Sequence, residues 1–403
     1  MSAIRSHYSK VIFALVLISS CTAHAQTEAV LYKFNGSSIG VNSSPDLIAG
    51  GDGRLYGITQ VGGAGYGTAY ELSANGDGGW KETTLHTFTI NSGDGYIPQA
   101  LAIDGKGNLF GTTYLGGANE RGVLYELSPA AGEWTETILF SFGEGSAGAD
   151  PFGNLIIDAE GDIFGTEDIN TTGNVEAVYQ ASPSNGYAPN VIYNTNFITA
   201  TGGLGGLAMD ASGNIFGISV QAYSPQIAIA FELSPNRNGG WNSKVLYTFS
   251  TGIEPESPPT LDKTGRIYGT TTRGGARNNG SVYRLARGPK GQWTARTLYS
   301  FKGGKADGSG PYSAVVFDAS GNMYGTTIAG GKFNKGTVFE LSAAGNGSYW
   351  ETILWSFAGA DGDGPVSRLV RDSAGHLHGT TSMGGDTGCG GAKGCGLVFE
   401  VTP

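Results

Sequence analysis

The sequence is poor in the side chains that carry most enzyme chemistry. It has three cysteines and five histidines in 403 residues, and His7, His24 and Cys21 lie in the first 25. Beyond that segment only His86, His376, His378, Cys389 and Cys395 remain, and neither cysteine has an evident histidine partner, so a cysteine nucleophile is not expected. No H-E-x-x-H or P-loop is present. No stretch after residue 25 shows a helical period, which excludes the strand-to-helix nucleophile elbow. The longest apolar run, residues 11–18, is too short to span a bilayer. Charged residues are only 14%, and the net charge is −10, a balance unsuited to nucleic acid or anionic membrane surfaces.

Residues 1–25 read as a separate element. Arg5 and Lys10 precede the apolar run, and Ala23-His24-Ala25 supplies a small-residue cleavage signal, as in a secretory signal peptide. Ile18-Ser19-Ser20-Cys21 also fits a bacterial lipoprotein box, so soluble export and a lipid anchor on Cys21 both stand. Either way the expected compartment is secreted or periplasmic. Cys389 and Cys395 fall in one short loop, and a local disulfide is the state expected in an oxidising compartment.

What the chain has in abundance is glycine, 69 residues, with aromatics at 11%. Both are periodic. An aromatic or His followed by Gly recurs at Gly57, Gly111, Gly165, Gly217, Gly269, Gly325 and Gly379, spaced by 54, 54, 52, 52, 56 and 54 residues. Seven copies of one such unit mean a stacked or radial repeat. Each unit reads as four short strands. In the second copy an apolar run at 101–103 leads into a turn begun by Asp104, and strands follow at 109–113, 123–127 and 134–142. Four antiparallel strands in a unit of this length describe a propeller blade. The expected fold is therefore all-β, a seven-bladed β-propeller of four-stranded blades over residues 26–403. The chain ends on a third strand, Val398 to Val401, while residues 30–34 match the fourth-strand pattern of 297–301. The N-terminal strand is thus expected to complete the last blade and remove a free edge.

The pattern L-Y-G-T-T-x2-G-G-x4-G-T-V-F-E-L resembles the GloVer tandem repeat of bacterial exported proteins. Residues 324–341 match it apart from one extra residue before Gly336, and 268–285 and 378–401 match well. The resemblance covers nearly all of the chain after the leader and implies the repeat fold and a secreted or surface placement, with no agreed activity and no catalytic residues. Two copies depart from it. Residues 165–181 carry Glu167-Asp168-Ile169-Asn170 in place of the double Gly, and 217–233 carry Gln221 to Pro225 there.

Residues repeated from blade to blade are expected to serve the blade. These include the turn aspartates Asp104, Asp158, Asp210, Asp262, Asp318 and Asp372, and the tryptophans Trp80, Trp134, Trp241, Trp293 and Trp350. His86 and His378 stand where other copies have Phe or Tyr and read as aromatic substitutes. His376 and His378 share a strand face, but a third metal ligand is not visible. The asymmetric acids lie in the loops between blades: Asp94, Asp150, Glu254, Glu256, Asp307, Asp361 and Asp363. Those loops share a face around the channel mouth. Converging carboxylates there would hold Ca²⁺ or sugar hydroxyls, or the Asp-Gly pairs are good turn residues on a wet surface. Three functions remain open. The first is a monomeric, exported binding module for carbohydrate or another envelope component, without turnover. The second is a polysaccharide lyase or glycosidase using acids of the same face, and the third a structural surface protein.

Overall fold

The computed structural model describes residues 26–35, 41–91, 93–130, 132–143, 148–169, 175–198, 204–221, 227–345, 347–385 and 393–403. Seven four-stranded antiparallel blades form a seven-bladed propeller. Blade 2 shows the unit: Gly95–Ile103, Leu109–Gly116, Val123–Ala130 and Glu133–Ser141, paired in chain order. The turn between its first two strands is built by Asp104, whose Oδ1 accepts from the N–H groups of Lys106 (2.8 Å) and Asn108 (2.9 Å). Asp210 and Asp318 accept the same bonds in their blades. The turn aspartates are thus spent on backbone donors.

The ring closes as the terminal patterns imply. Thr27–Lys33 pairs antiparallel with Leu397–Thr402, from Thr27 opposite Thr402 to Lys33 opposite Leu397. It is the outer strand of blade 7, so the first and last described strands share a sheet. The only helical turn among the described residues is the 3-10 segment Pro183–Asn185. None of the described residues form a helix long and apolar enough to cross a membrane.

The recurring Gly has a steric cause. Gly57, Gly111, Gly165, Gly217, Gly269, Gly325 and Gly379 lie opposite Tyr70, Tyr125, Tyr179, Phe231, Tyr283, Phe339 and Phe399 on the third strands. Each ring lies over its glycine so closely that a Cβ would fall 2.2–2.6 Å from it. The same rings join the blades. Phe34, Phe88, Phe142, Phe249, Phe301 and Phe357, each following a fourth strand, make edge contacts with the third-strand ring of the next blade at 5.0–5.6 Å between centroids. In blade 3 the contact comes from Tyr193, inside the fourth strand Asn190–Ile198, whose ring lies tilted at 36° to Phe231 with 4.7 Å between centroids. The contact Phe34–Tyr70 carries the aromatic wheel across the closure. Buried aromatic pairs of this geometry contribute about 0.5–1.5 kcal/mol each beyond their area.

One expectation is corrected. Trp80, Trp134, Trp241 and Trp293 face Ala74, Pro129, Pro235 and Arg287 in register, and in blade 6 that place belongs to Tyr349, opposite Ala343. Trp350 is shifted by one residue, which in a strand turns it to the other face, and it is 71% exposed.

Candidate functional site

Five of the seven acids expected in loops lie there, whereas Asp150 and Asp363 fall in the strands Ala149–Ile157 and Asp363–Pro365; the seven divide by what they touch. Asp94, Asp307 and Asp361 hold equivalent places in three seams between blades. Each ties down the loop that leaves a fourth strand. Asp94 Oδ2 accepts from the N–H and hydroxyl of Thr89 (2.8 and 3.0 Å). Asp307 Oδ2 accepts from Lys302 N–H (3.1 Å) and Tyr299 OH (2.8 Å). Asp361 accepts from Ala358 N–H (2.7 Å) and Trp355 Nε1–H (3.0 Å). In each seam a glutamate also approaches from the fourth strand of the following blade: Glu136 near Asp94, Glu351 near Asp307 and Glu28 near Asp361. Burial, joined in each seam by repulsion from the aspartate, pushes these carboxyls up, to about 7 for Glu136, about 8 for Glu351 and about 7 for Glu28. These glutamates were not picked out from sequence. The available signal was an offset: Glu28, Glu136 and Glu351 each stand four residues before the aromatic slot at Tyr32, Phe140 and Trp355.

Asp150 and Asp363 pair with cations from the previous blade. Asp150 Oδ2 lies 3.0 Å from Arg121 Nη1, and Asp363 meets Lys335 Nζ. Asp150 also borders the divergent copy. Repulsion from Asp150 adds to burial in raising Asp168 to about 6, and burial pushes the adjoining Glu167 to about 8. Glu167 is fully enclosed, in the slot that Thr113 fills in blade 2, so no solute reaches its carboxyl. Lys335, Asp363 and Lys393, with Gly359, Gly384 and Gly394, line a cleft of about 330 Å³ between blades 6 and 7.

Glu254 and Glu256 come together at blade 5. Glu254 accepts from Thr272 Oγ1 (3.3 Å) and faces Arg273 Nη1 (3.4 Å). Glu256 is exposed, and burial of part of its carboxyl together with Glu254 raises it. Tyr312, 43% exposed on the adjoining blade, feels the charge of Glu256. This patch combines an open aromatic ring, two carboxylates and a guanidinium. Tyr312 and Arg273 were not singled out from sequence, because an exposed Tyr in a repeat that is full of packed aromatics gives no distinguishing signal. Cys395 is buried, whereas Cys389 and the expected bridge to it lie outside the described residues.

The profile of the Gloeobacter/Verrucomicrobia repeat matches residues 14–221 and 173–393. A search of curated proteins gives no significant match. Among solved structures the chain is similar to an ancestral GH74 enzyme, with TM-score 0.55 and 14% identity over 90% of this chain and 48% of that one. It is also similar to a putative 6-phosphogluconolactonase from Bacteroides uniformis, with TM-score 0.53 and 13% identity over 83% of this chain and 95% of that one. At these identities the likeness is one of fold.

Proposed function

The chain belongs to the Gloeobacter/Verrucomicrobia repeat family, and on that premise we propose that it is an exported propeller that binds carbohydrate on its loop face. The leader in residues 1–25 supports export. The observation that carries the ligand class is Tyr312: a half-open ring beside Glu256, with Glu254 and Arg273 behind it. A sugar offers apolar C–H faces to a ring and hydroxyls to carboxylates and guanidinium, and few placed polar groups around an aromatic suffice to orient it. The name of the Bacteroides uniformis neighbour agrees with a sugar ligand, but that likeness carries the fold alone.

Binding is favoured over turnover by how the acids are used. Asp94, Asp150, Glu254, Asp307, Asp361 and Asp363 are each hydrogen-bonded or ion-paired. Glycosidase chemistry is the second reading, and one observation favours it: the raised carboxyl of exposed Glu256 next to Glu254, an arrangement suited to an acid and its partner. Affinity electrophoresis of the mature chain against a panel of envelope and plant polysaccharides tests both. Retardation by at least one polysaccharide is expected, weakened about tenfold by Tyr312→Ala, with unchanged circular dichroism. No retardation, or retardation indifferent to Tyr312→Ala, overturns the sugar site. Release of oligosaccharide that stops in Glu256→Gln while binding persists establishes the enzyme reading instead.

A further inference from the structure

The seam between blades 1 and 2 differs from its two counterparts in a way that loop capping does not explain. In the 5/6 and 6/7 seams the slot on the fourth strand holds Tyr299 or Trp355, and each donates directly to its aspartate, at 2.8 and 3.0 Å. In the 1/2 seam the slot holds His86. Its Nε2 lies 3.6 Å from Asp94 Oδ1 and 3.5 Å from Glu136 Oε2, midway between two carboxylates and too far to hydrogen-bond well to either. His86 Nε2, Asp94 Oδ1 and Glu136 Oε1 are all buried without a hydrogen-bond partner among the described residues. One ligand atom from each of the three residues falls within 4.8 Å of the others.

We propose that His86, Asp94 and Glu136 form a site for a first-row divalent cation of the Zn²⁺ class, which clamps blade 1 to blade 2. The spacing fits. Zn–N and Zn–O bonds of about 2.0–2.2 Å in a tetrahedron put ligand atoms about 3.4 Å apart, close to the two His–carboxylate separations. The donor set fits as well, since an imidazole with two carboxylates suits zinc and its neighbours and is too nitrogen-rich for a calcium site. The surroundings hold the ligands in place. Thr89 fixes Asp94 through Oδ2, leaving Oδ1 turned to His86, and Phe88 packs edge-on against the imidazole at 4.7 Å. The three ligands come from two blades and the loop between them, so an ion here crosses the seam. The other two seams keep the Asp and Glu but lack the imidazole, and a direct hydrogen bond does the ion's work.

Zinc titration of EDTA-treated mature protein by calorimetry, with Co²⁺ absorption as a second reading, tests the site. One equivalent of Zn²⁺ is expected, with a visible Co²⁺ spectrum of low-coordinate type and a rise in the thermal midpoint. His86→Phe copies the Phe140 found in the same slot of blade 2 and so suits the fold. It is expected to abolish the spectrum, and Glu136→Gln to weaken binding by on the order of tenfold or more. Glu351→Gln, in the counterpart seam, leaves binding unchanged. Absence of zinc binding by the folded wild type, binding that survives His86→Phe, or binding lost on His376→Ala instead, overturns the proposal.

Discussion

Replacing Gly325 by alanine adds one methyl group at the most crowded point of blade 6. The new Cβ would sit 2.6 Å from Phe339 Cζ, where apolar atoms rest at about 3.5–4.0 Å. The ring must therefore retreat by about 1 Å. It has nowhere to go: Phe339 is fully buried, and the Phe301 ring of blade 5 stands 5.1 Å away on the seam. Overpacking of this kind costs about 1–3 kcal/mol. The loss of glycine's freedom in the unfolded chain offsets about 0.4–1 kcal/mol, so a net destabilisation of about 1–2 kcal/mol is expected. Gly105→Ala is the control. A Cβ there meets nothing within 4 Å, and the change is expected to be neutral or slightly stabilising. Phe339→Leu shortens the ring that Gly325 accommodates. In the double variant the methyl group finds room, so the two changes should couple by about 1 kcal/mol or more. Urea unfolding followed by tryptophan fluorescence measures the wild type and all four variants. A Gly325→Ala midpoint equal to that of Gly105→Ala, or strictly additive effects in the cycle, would refute the claim that ring clearance is why each blade keeps this glycine.

Four further outcomes are expected. The Glu351 carboxyl, raised to about 8 by burial and by Asp307, binds its proton more tightly folded than unfolded. Its contribution to stability is therefore fully present below the unfolded carboxylate range near pH 4.5 and is lost as pH rises towards 8, and Glu351→Gln should remove that component of the pH dependence in a series of urea midpoints. Trp350→Ala should change the midpoint by no more than about 0.5 kcal/mol, whereas Trp293→Ala, on the packed face, should cost about 2 kcal/mol or more. Deleting residues 26–34 from the mature chain removes the outer strand of blade 7 and exposes the Leu397–Thr402 edge, so the truncated protein should aggregate on size-exclusion chromatography where the mature chain does not. Peptide mapping without reductant should recover Cys389 linked to Cys395, and two free thiols there would remove the bridge from the account.

The fold was legible because its signals are local and repeated. The Asp turns, the aromatic–Gly step and the fourth-strand pattern shared by residues 30–34 and 297–301 each sit within one unit, and seven copies average out the drift of any one. Trp350 was misplaced because a single-residue offset reverses the face of a strand, and spacing to Leu354 alone does not register it against Ala343. The candidate site was legible only in part. Asp94, Asp307 and Asp361 stand out as loop acids in the sequence, but the glutamates that approach them lie on the far strand of the following blade. Glu136 is 42 residues from Asp94, and Glu28 meets Asp361 only because the ring closes. Which side chains share a seam follows from the ring and from no local pattern.

That dependence on the ring also explains where chemistry can enter such a molecule. A position repeated in every blade is committed to packing, as the seven glycines and their rings are. A position whose side chain varies from blade to blade is free to change its donor without disturbing the wheel. The fourth-strand slot holds Tyr32, His86, Phe140, Tyr193, Tyr247, Tyr299 and Trp355 in the seven blades, so the backbone tolerates a phenol, an imidazole, a phenyl or an indole there. Only the imidazole among these is a good ligand for a transition metal. The step from a packing residue to a metal ligand is then a single substitution in a seam that already carries its two carboxylates. Converting Tyr299 to His in the 5/6 seam should reproduce the same donor set with Asp307 and Glu351. A Tyr299→His variant that folds and takes up a second equivalent of zinc would support this route, and one that folds and binds no more zinc than the wild type would show that the two carboxylates alone do not make the seam ready for an ion.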